Sequence, residues 1–532
     1  MCKIHQSAKS RLSISGDLRE YWDMIEKCLS QSLQRKVREH CRIKGLNPLF
    51  FLVLIFVVSI WDVSVTPGQI SYSQLINGGV ALKNAGDLDG AIAAYSSAIQ
   101  LDPSAPFAYY NRAIVKQAKQ DFAGALNDYI RTLEVDPKNV AAYCNRGILR
   151  NEMGDLPRAT SDLESAIKID PTDGCAYQAR GVMRSAANDL DNAIKDFGIA
   201  LKLLKEPDAM ASTFNNRGWA KFLKKENKGA IEDFSAAISV DPLYKEAYNN
   251  RGLANSREGH VVEALADYGK SIELDKKNAN GYFNRGVLLA NMRDFGGSLT
   301  DLNVSVQLMP KDAASYFYRG LARSNLGDPD GAITDFSTAL ALSPEYSGVF
   351  TLRGYAYGKQ GKYSEAMADY EKALRANPNN AEALRYRAWT KLFMNDGRGA
   401  YDDAIVSLQH ANPKFPSTGY AIIIGFIGLR KSGSQSSAET FLKTWLKQVP
   451  PDNWTTKILC FFDGQLSEER LLTFATVKTA QTEAHTYIAE IKEFSGDHAA
   501  ALKHFQWVKT EGEKNMTEFT LAIKEIERLQ PL

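Results

Sequence analysis

Two side-chain types recur along this chain at spacings that invite chemistry. Arginine stands at 112, 146, 180, 217, 251, 285, 319, 353 and 387, and sixteen residues after each comes an aspartate. The series includes Arg112 with Asp128, Arg146 with Asp162, Arg217 with Asp233, Arg251 with Asp267 and Arg285 with Asp301. A guanidinium and a carboxylate form two parallel charge-assisted hydrogen bonds. Such a ladder could meet a charged ligand or tie two helices together. The tie is the expected role, since removing one partner of a buried pair strands a charge at a cost of about 3 to 5 kcal/mol. The second series is asparagine, at Asn77, Asn111, Asn145, Asn216, Asn250 and Asn284. Asparagine is a mediocre helix former, so propensity does not explain its recurrence. A ladder of amides can donate to and accept from an extended peptide backbone of any sequence. The alternative is that duplication copied a neutral residue. Phe283 and Phe317 stand just before two asparagine-register positions, and aromatic side chains are typical anchors of a binding surface.

Other chemistries have little to work with. The seven histidines fall in no HExxH motif, and neither a GxxxxGK[ST] nor a GxSxG motif occurs. His498 and His504, six apart, would point to opposite faces of a helix. The six cysteines form no CxxC pair and are too sparse for a disulfide scaffold, although Cys144 and Cys175 fall on neighbouring units. With 64 Lys and Arg against 62 Asp and Glu, the net charge of +2 excludes a strongly basic nucleic-acid binder. The expectation is a non-enzymatic chain with no cofactor, no metal and no nucleic-acid partner.

The elements that must carry these residues follow from their period. The arginines repeat every 34 residues, with a single step of 37 between Arg180 and Arg217. Aligned on a unit in which that arginine is position seven, position eight is Gly or Ala, as in Gly79, Ala113 and Gly147, and position twenty is Ala in nine of ten units, with Ser298 the exception. Position twenty-four is large, as in Tyr95, Tyr129, Leu163 and Phe197, and position thirty-two is Pro in seven units. Small residues let two antiparallel helices approach, the large residue fills the gap beside them, and Pro ends the second helix. A single hairpin cannot bury its apolar face, so the units must stack.

This pattern resembles the tetratricopeptide repeat. The resemblance implies an all-α, right-handed superhelix, an α-solenoid of about ten repeats over 72–414. In that family the first helix of each unit lines a concave, peptide-binding groove, with positions five, six and nine facing the ligand. That places the six asparagines, Phe283 and Phe317 in the groove, while the aromatics at position nine, Trp219, Tyr355 and Trp389, could anchor a partner there but are rather expected to pack between helices. The tenth repeat is degenerate, and Pro413 and Pro416 suggest a lengthened second helix. A change of superhelical pitch is expected at the 37-residue step. Residues 415–532 form a helical C-terminal block, with an eleventh, degenerate unit over 482–512 and a last helix over 516–529. This block loosely resembles the end of bacterial tetratricopeptide lipoproteins of the Nlp type, which implies scaffolding in the cell envelope.

Ahead of the array, 1–47 is basic, with an apolar stripe from Leu18 to Val37 at helical spacing, and 48–65 contains one apolar run, Leu49 to Trp61. This run fits a short transmembrane anchor or a signal segment. Arg35, Lys36, Arg38, Arg42 and Lys44 precede it, while the first Lys after it is Lys83. The positive-inside rule then puts the N-terminus in the cytoplasm and the array outside. The functional expectation is a membrane-anchored or exported scaffold that binds extended segments of other proteins. The alternatives are a subunit whose activity lies in the C-terminal block and a self-associating structural solenoid.

Overall fold

A computed structural model describes residues 71–409, 412 and 415–530. The basic region 1–47 and the apolar segment 48–65 lie outside the described residues. Among the described residues there are 27 helices and no strand, and no helix is long and apolar enough to cross a membrane. The chain divides into two compact units, Met1–Lys225 and Glu226–Leu532.

In the first unit, hairpins pair α1 (Tyr72–Asn84) with α2 (Leu88–Leu101), α3 (Pro106–Ala118) with α4 (Phe122–Val135), α5 (Val140–Glu152) with α6 (Leu156–Ile169), and α7 (Gly174–Ala186) with α8 (Leu190–Leu203). This unit ends with α9 (Pro207–Leu223), the first helix of the fifth repeat. The additional residues of the 37-residue step go into α9, which has 17 residues where the first helices before it have 13.

The second unit opens with α10 (Asn227–Val240) and continues as α11 (Lys245–Glu258) with α12 (Val261–Leu274), α13 (Ala279–Asn291) with α14 (Phe295–Leu308), α15 (Ala313–Asn325) with α16 (Pro329–Leu342), α17 (Gly348–Lys359) with α18 (Tyr363–Ala376), and α19 (Ala381–Phe393) with α20 (Gly397–Gln409). The lengthened second helix expected in the tenth repeat does not reach Pro413, since Asn412 lies outside any helix and Pro416 opens the next one.

The same local chemistry closes each hairpin. The residue in the turn takes a left-handed conformation, as at Gly86, Gly154, Gly259 and Gly327, and Gln120, Asn188 and Arg293 adopt it too, at φ 66°, 61° and 64°. An aspartate follows in most repeats and caps the second helix; Asp87, Asp121, Asp294 and Asp328 each accept from the amide three residues on. Between the paired helices, Ala125, Ala193, Ala264 and Ala332 are fully buried, as are the rings of Phe197 and Phe336. The approach is close enough to require glycine at position eight in several repeats. A Cβ on Gly181 would sit 2.7 Å from Phe197 Cε1, and one on Gly252 2.7 Å from Tyr268 Cε1.

After α20 the register is interrupted by α21 (Pro416–Lys431), α22 (Gln435–Leu446), α23 (Trp454–Phe462) and α24 (Glu468–Phe474). Helix α21 is apolar nearly all round, and Ile422, Ile423, Ile424 and Ile427 are fully buried, as expected of a helix with no polar face. It meets α20 backbone to backbone, since a Cβ on Gly428 would lie 2.5 Å from the carbonyl oxygen of Gly397. The hairpin then returns as α25 (Lys478–Phe494) and α26 (His498–Glu511), with Gly496 in the turn and Asp497 as the cap, and α27 (Thr517–Leu529) follows.

Candidate functional site

The arginine of position seven is fixed by its own hairpin. Arg112 donates from Nε and a terminal nitrogen to the two carboxylate oxygens of Asp128, both at 2.8 Å, and Arg146 does the same with Asp162 at 2.9 and 2.7 Å. In the second unit Arg251 holds Asp267 at 3.0 and 2.7 Å and Arg285 holds Asp301 at 2.7 and 2.8 Å. The aspartates are buried. Arg217 and Asp233 lie on either side of the boundary between the two units, Asp233 buried.

Two further groups complete this frame, and sequence inspection did not single them out. Four residues after the arginine a second donor reaches the same aspartate, from Lys116, Arg150, Arg184, Arg323 and Lys391 at 2.6 to 2.9 Å, with Asn255 in that place for Asp267 at 3.1 Å. The arginine's remaining nitrogen reaches back to the preceding repeat, Arg112 to Ser96 at 2.9 Å, Arg251 to Ser235 at 3.1 Å and Arg353 to Ser337 at 3.0 Å. The guanidinium also lies over the aromatic ring three residues earlier, as Arg146 does over Tyr143. In Arg112, Arg251 and Arg353 all three guanidinium nitrogens are thus engaged in joining helices within and between repeats. The signal was present in the sequence as a second 34-residue series of Lys and Arg.

The first-helix face is built differently. Within each compact unit, first helices of successive repeats touch one another, α5 with α7 and α13 with α15 for instance, while second helices pack chiefly on their hairpin partner and the next first helix, as α6 does on α5 and α7. On this layer Asn77 is exposed, Asn145, Asn216, Asn250 and Asn284 are half-buried, and Asn111 is buried. Asn111 Nδ2 donates to the Phe107 carbonyl of its own helix at 2.8 Å, Asn145 Nδ2 to the Tyr110 hydroxyl at 2.9 Å, and Asn284 Nδ2 to Asn249 Oδ1 at 3.0 Å. The amides of Asn145 and Asn284 therefore reach to position five of the preceding repeat. Phe283 packs edge-on against Tyr318, ring centroids 5.8 Å apart, and Phe317 against Tyr318 and Tyr346 at 5.0 and 5.1 Å. Both phenylalanines are half-buried.

Cys144 is buried with its sulfur 4.0 Å from Asp173 Oδ2, and burial pushes its thiol up to about 12, which keeps it from reacting as a thiolate. His498 faces Glu493 at 2.5 Å, whereas His504 Nδ1 meets His485 Nδ1 at 2.8 Å. Among the described residues no group of three or more His, Cys, Asp or Glu side chains is placed to hold a metal ion.

The C-terminal block holds a set of buried ionisable groups that local sequence patterns did not mark. Glu483 on α25 accepts from the Tyr420 hydroxyl at 2.7 Å and from the Trp454 indole, and Glu518 on α27 accepts from the Tyr487 hydroxyl at 2.7 Å. Burial, and then the charge of Glu518, push Glu483 up to about 8, and burial also raises Glu518. Seven residues further along each helix, Glu490 and Glu525 both meet Lys431, at 3.1 and 2.6 Å. Helices α25 and α27 thus face each other through two acidic rungs, one bridged by a lysine and one held by neutral donors.

Family models agree with the repeat described above. Two family models described as tetratricopeptide repeat match residues 110–174 and 349–380, and one described as TPR repeat matches 79–120. The chain contains tetratricopeptide repeats. Similar solved structures include one from a functional characterisation of Pseudomonas aeruginosa PilF, at 22% identity and a TM-score of 0.35, covering 38% of this chain and 92% of that one. Yeast Tom70 is 16% identical with a TM-score of 0.32, covering 76% of this chain and 97% of its own. YrrB, described as a TPR protein with an unusual peptide-binding site, is 21% identical with a TM-score of 0.30, over 35% and 95%. No curated protein matches this chain.

Proposed function

We propose that this tetratricopeptide repeat protein is a scaffold that binds extended segments of partner proteins along the groove lined by its first helices. The observation that carries the reading is the recurrence of asparagine at one first-helix position, at Asn77, Asn111, Asn145, Asn216, Asn250 and Asn284. Each amide that bonds to the preceding repeat uses one hydrogen, and it keeps a second hydrogen and an oxygen lone pair to offer a ligand backbone. Phe283 and Phe317 add partly exposed aromatic surface beside the ladder. The basic residues from Arg35 to Lys44 ahead of the apolar run favour a single-pass or exported chain with the array on the extracytoplasmic side, and the Nlp-type likeness of the C-terminal block points the same way. A benzophenone crosslinker at position 216, on a first helix, is expected to capture protein partners in cells, while the same probe at position 195, exposed on a second helix, captures none. Equal capture at both positions would refute groove binding.

A further inference from the structure

Helix α27 packs against the protein along two faces. One carries Leu521, Ala522, Glu525 and Ile526, buried in the C-terminal block, with Ala522 and Ile526 in one cluster with Ala489, Ala501 and Phe505. The other carries Thr517 and Thr520, which line a cavity together with Tyr355, Lys359, Tyr386 and Trp389 from the first helices of repeats nine and ten. Lys359 Nζ donates to the Asn515 carbonyl just ahead of α27 at 2.6 Å. Burial lowers the lysine's pKa, and the charge of Glu518, in the first turn of that helix, offsets part of that lowering. The seam between α27 and the repeats therefore sets two threonines against aromatic rings and one lysine around a small unfilled space, while the opposite face of the same helix is closely packed, with Leu521, Ala522 and Ile526 buried and Glu525 paired with Lys431.

We infer that the first-helix face around Tyr355, Lys359, Tyr386 and Trp389 is a helix-binding surface whose resident occupant is the chain's own Thr517–Leu529 helix. Tyrosine and tryptophan are the residues most often found at the energetic centre of such surfaces. The lysine supplies a donor for a carbonyl exposed ahead of a helix and a positive charge for a carboxylate in its first turn. The surface thus fits an α-helical segment that begins with an acidic residue and presents small polar side chains, and the chain supplies that segment itself. A ligand running along the first helices meets this occupant at repeats nine and ten and has to stop there or displace it. That consequence rests on the groove-binding reading; the occupancy itself does not.

The test uses the full chain and a fluorescent peptide of its residues 513–530. Thr520→Glu places a charge in the seam and leaves the opposite, buried face of α27 unchanged. It is expected to speed amide exchange in 348–359 and 381–393 and to bind the peptide at least about tenfold more tightly than the unsubstituted chain, because the surface is vacated. Lys359→Glu is expected to speed the same exchange but to lose peptide binding. Unchanged exchange in Thr520→Glu, or faster exchange with no gain in peptide binding, would overturn the inference. If circular dichroism shows Thr520→Glu unfolded, Lys359→Glu decides alone, and unchanged exchange there overturns it. The probe is the chain's own peptide, so failure here is separate from failure of the asparagine-lined groove.

Discussion

Arg251 grips Asp267 through both carboxylate oxygens, at 3.0 and 2.7 Å, while its remaining nitrogen reaches Ser235 of the preceding repeat at 3.1 Å. One side chain thereby joins the two helices of a hairpin and the hairpin to its neighbour. Asp267→Ala leaves the guanidinium without its partner in a half-buried site and is expected to lower stability by about 3 to 5 kcal/mol. Adding Arg251→Met should recover part of that loss, because the stranded charge goes with it. Chemical denaturation of the single and double variants measures the coupling. A loss below about 1 kcal/mol for Asp267→Ala, or a larger effect on ligand affinity than on stability, would assign the pair to binding.

The hairpin turns carry an independent prediction. Arg293 occupies at φ 64° the turn position that Gly327 fills at φ 81° in the next repeat. A left-handed conformation costs an L-residue about 1 to 2 kcal/mol, and glycine gives back roughly half of that advantage in backbone entropy. Arg293→Gly should raise stability by about 0.5 to 1 kcal/mol and Gly327→Ala should lower it by a similar amount. Thermal denaturation of the two variants must show opposite signs.

The acidic rung of the C-terminal block makes its stability depend on pH. Glu483 faces Glu518, the Tyr420 hydroxyl and the Trp454 indole. Its folded value, pushed from 4.5 to about 8, lies above its unfolded value, so the folded block holds a proton that the unfolded chain releases. That contribution is fully present below about 4.5 and is lost as pH rises through about 8. Stability of the block should fall across this window and level off above it. Glu483→Gln, with its oxygen toward the indole and its amide toward the Tyr420 oxygen, should flatten the profile. Exchange rates in 478–494 measured from pH 5 to pH 9 would show it, and an identical slope in the variant would place the pH dependence elsewhere.

Much of the array is legible in the sequence because its contacts are local. Position eight meets position twenty-four within one hairpin, and the arginine and its aspartate are sixteen residues apart, so a 34-residue period displays both. The second donors at Lys116, Arg150 and Arg184 obey the same period and were available to inspection. The asparagines were legible as a series, but their bonds to Tyr110 and Asn249 cross 35 residues. The C-terminal block was not legible beyond its helices. Glu483 and Glu518 are 35 residues apart in a segment without a period, and Lys359 meets Asn515 across 156 residues. No local pattern records contacts of that separation. The tenth repeat misled for a related reason. Pro413 and Pro416 suggest the end of a long second helix, whereas Asn412 already lies outside any helix and Pro416 opens α21.

The central claim is that the first-helix asparagines form the binding site. The most direct measurement is a crosslinking capture of protein partners by the intact chain and by a variant in which Asn111, Asn145, Asn216, Asn250 and Asn284 are all alanine. Unchanged circular dichroism must show that the variant is folded. Partners held by the intact chain and absent from the folded variant are the predicted result. The same partners recovered in the same amounts from both would contradict the account.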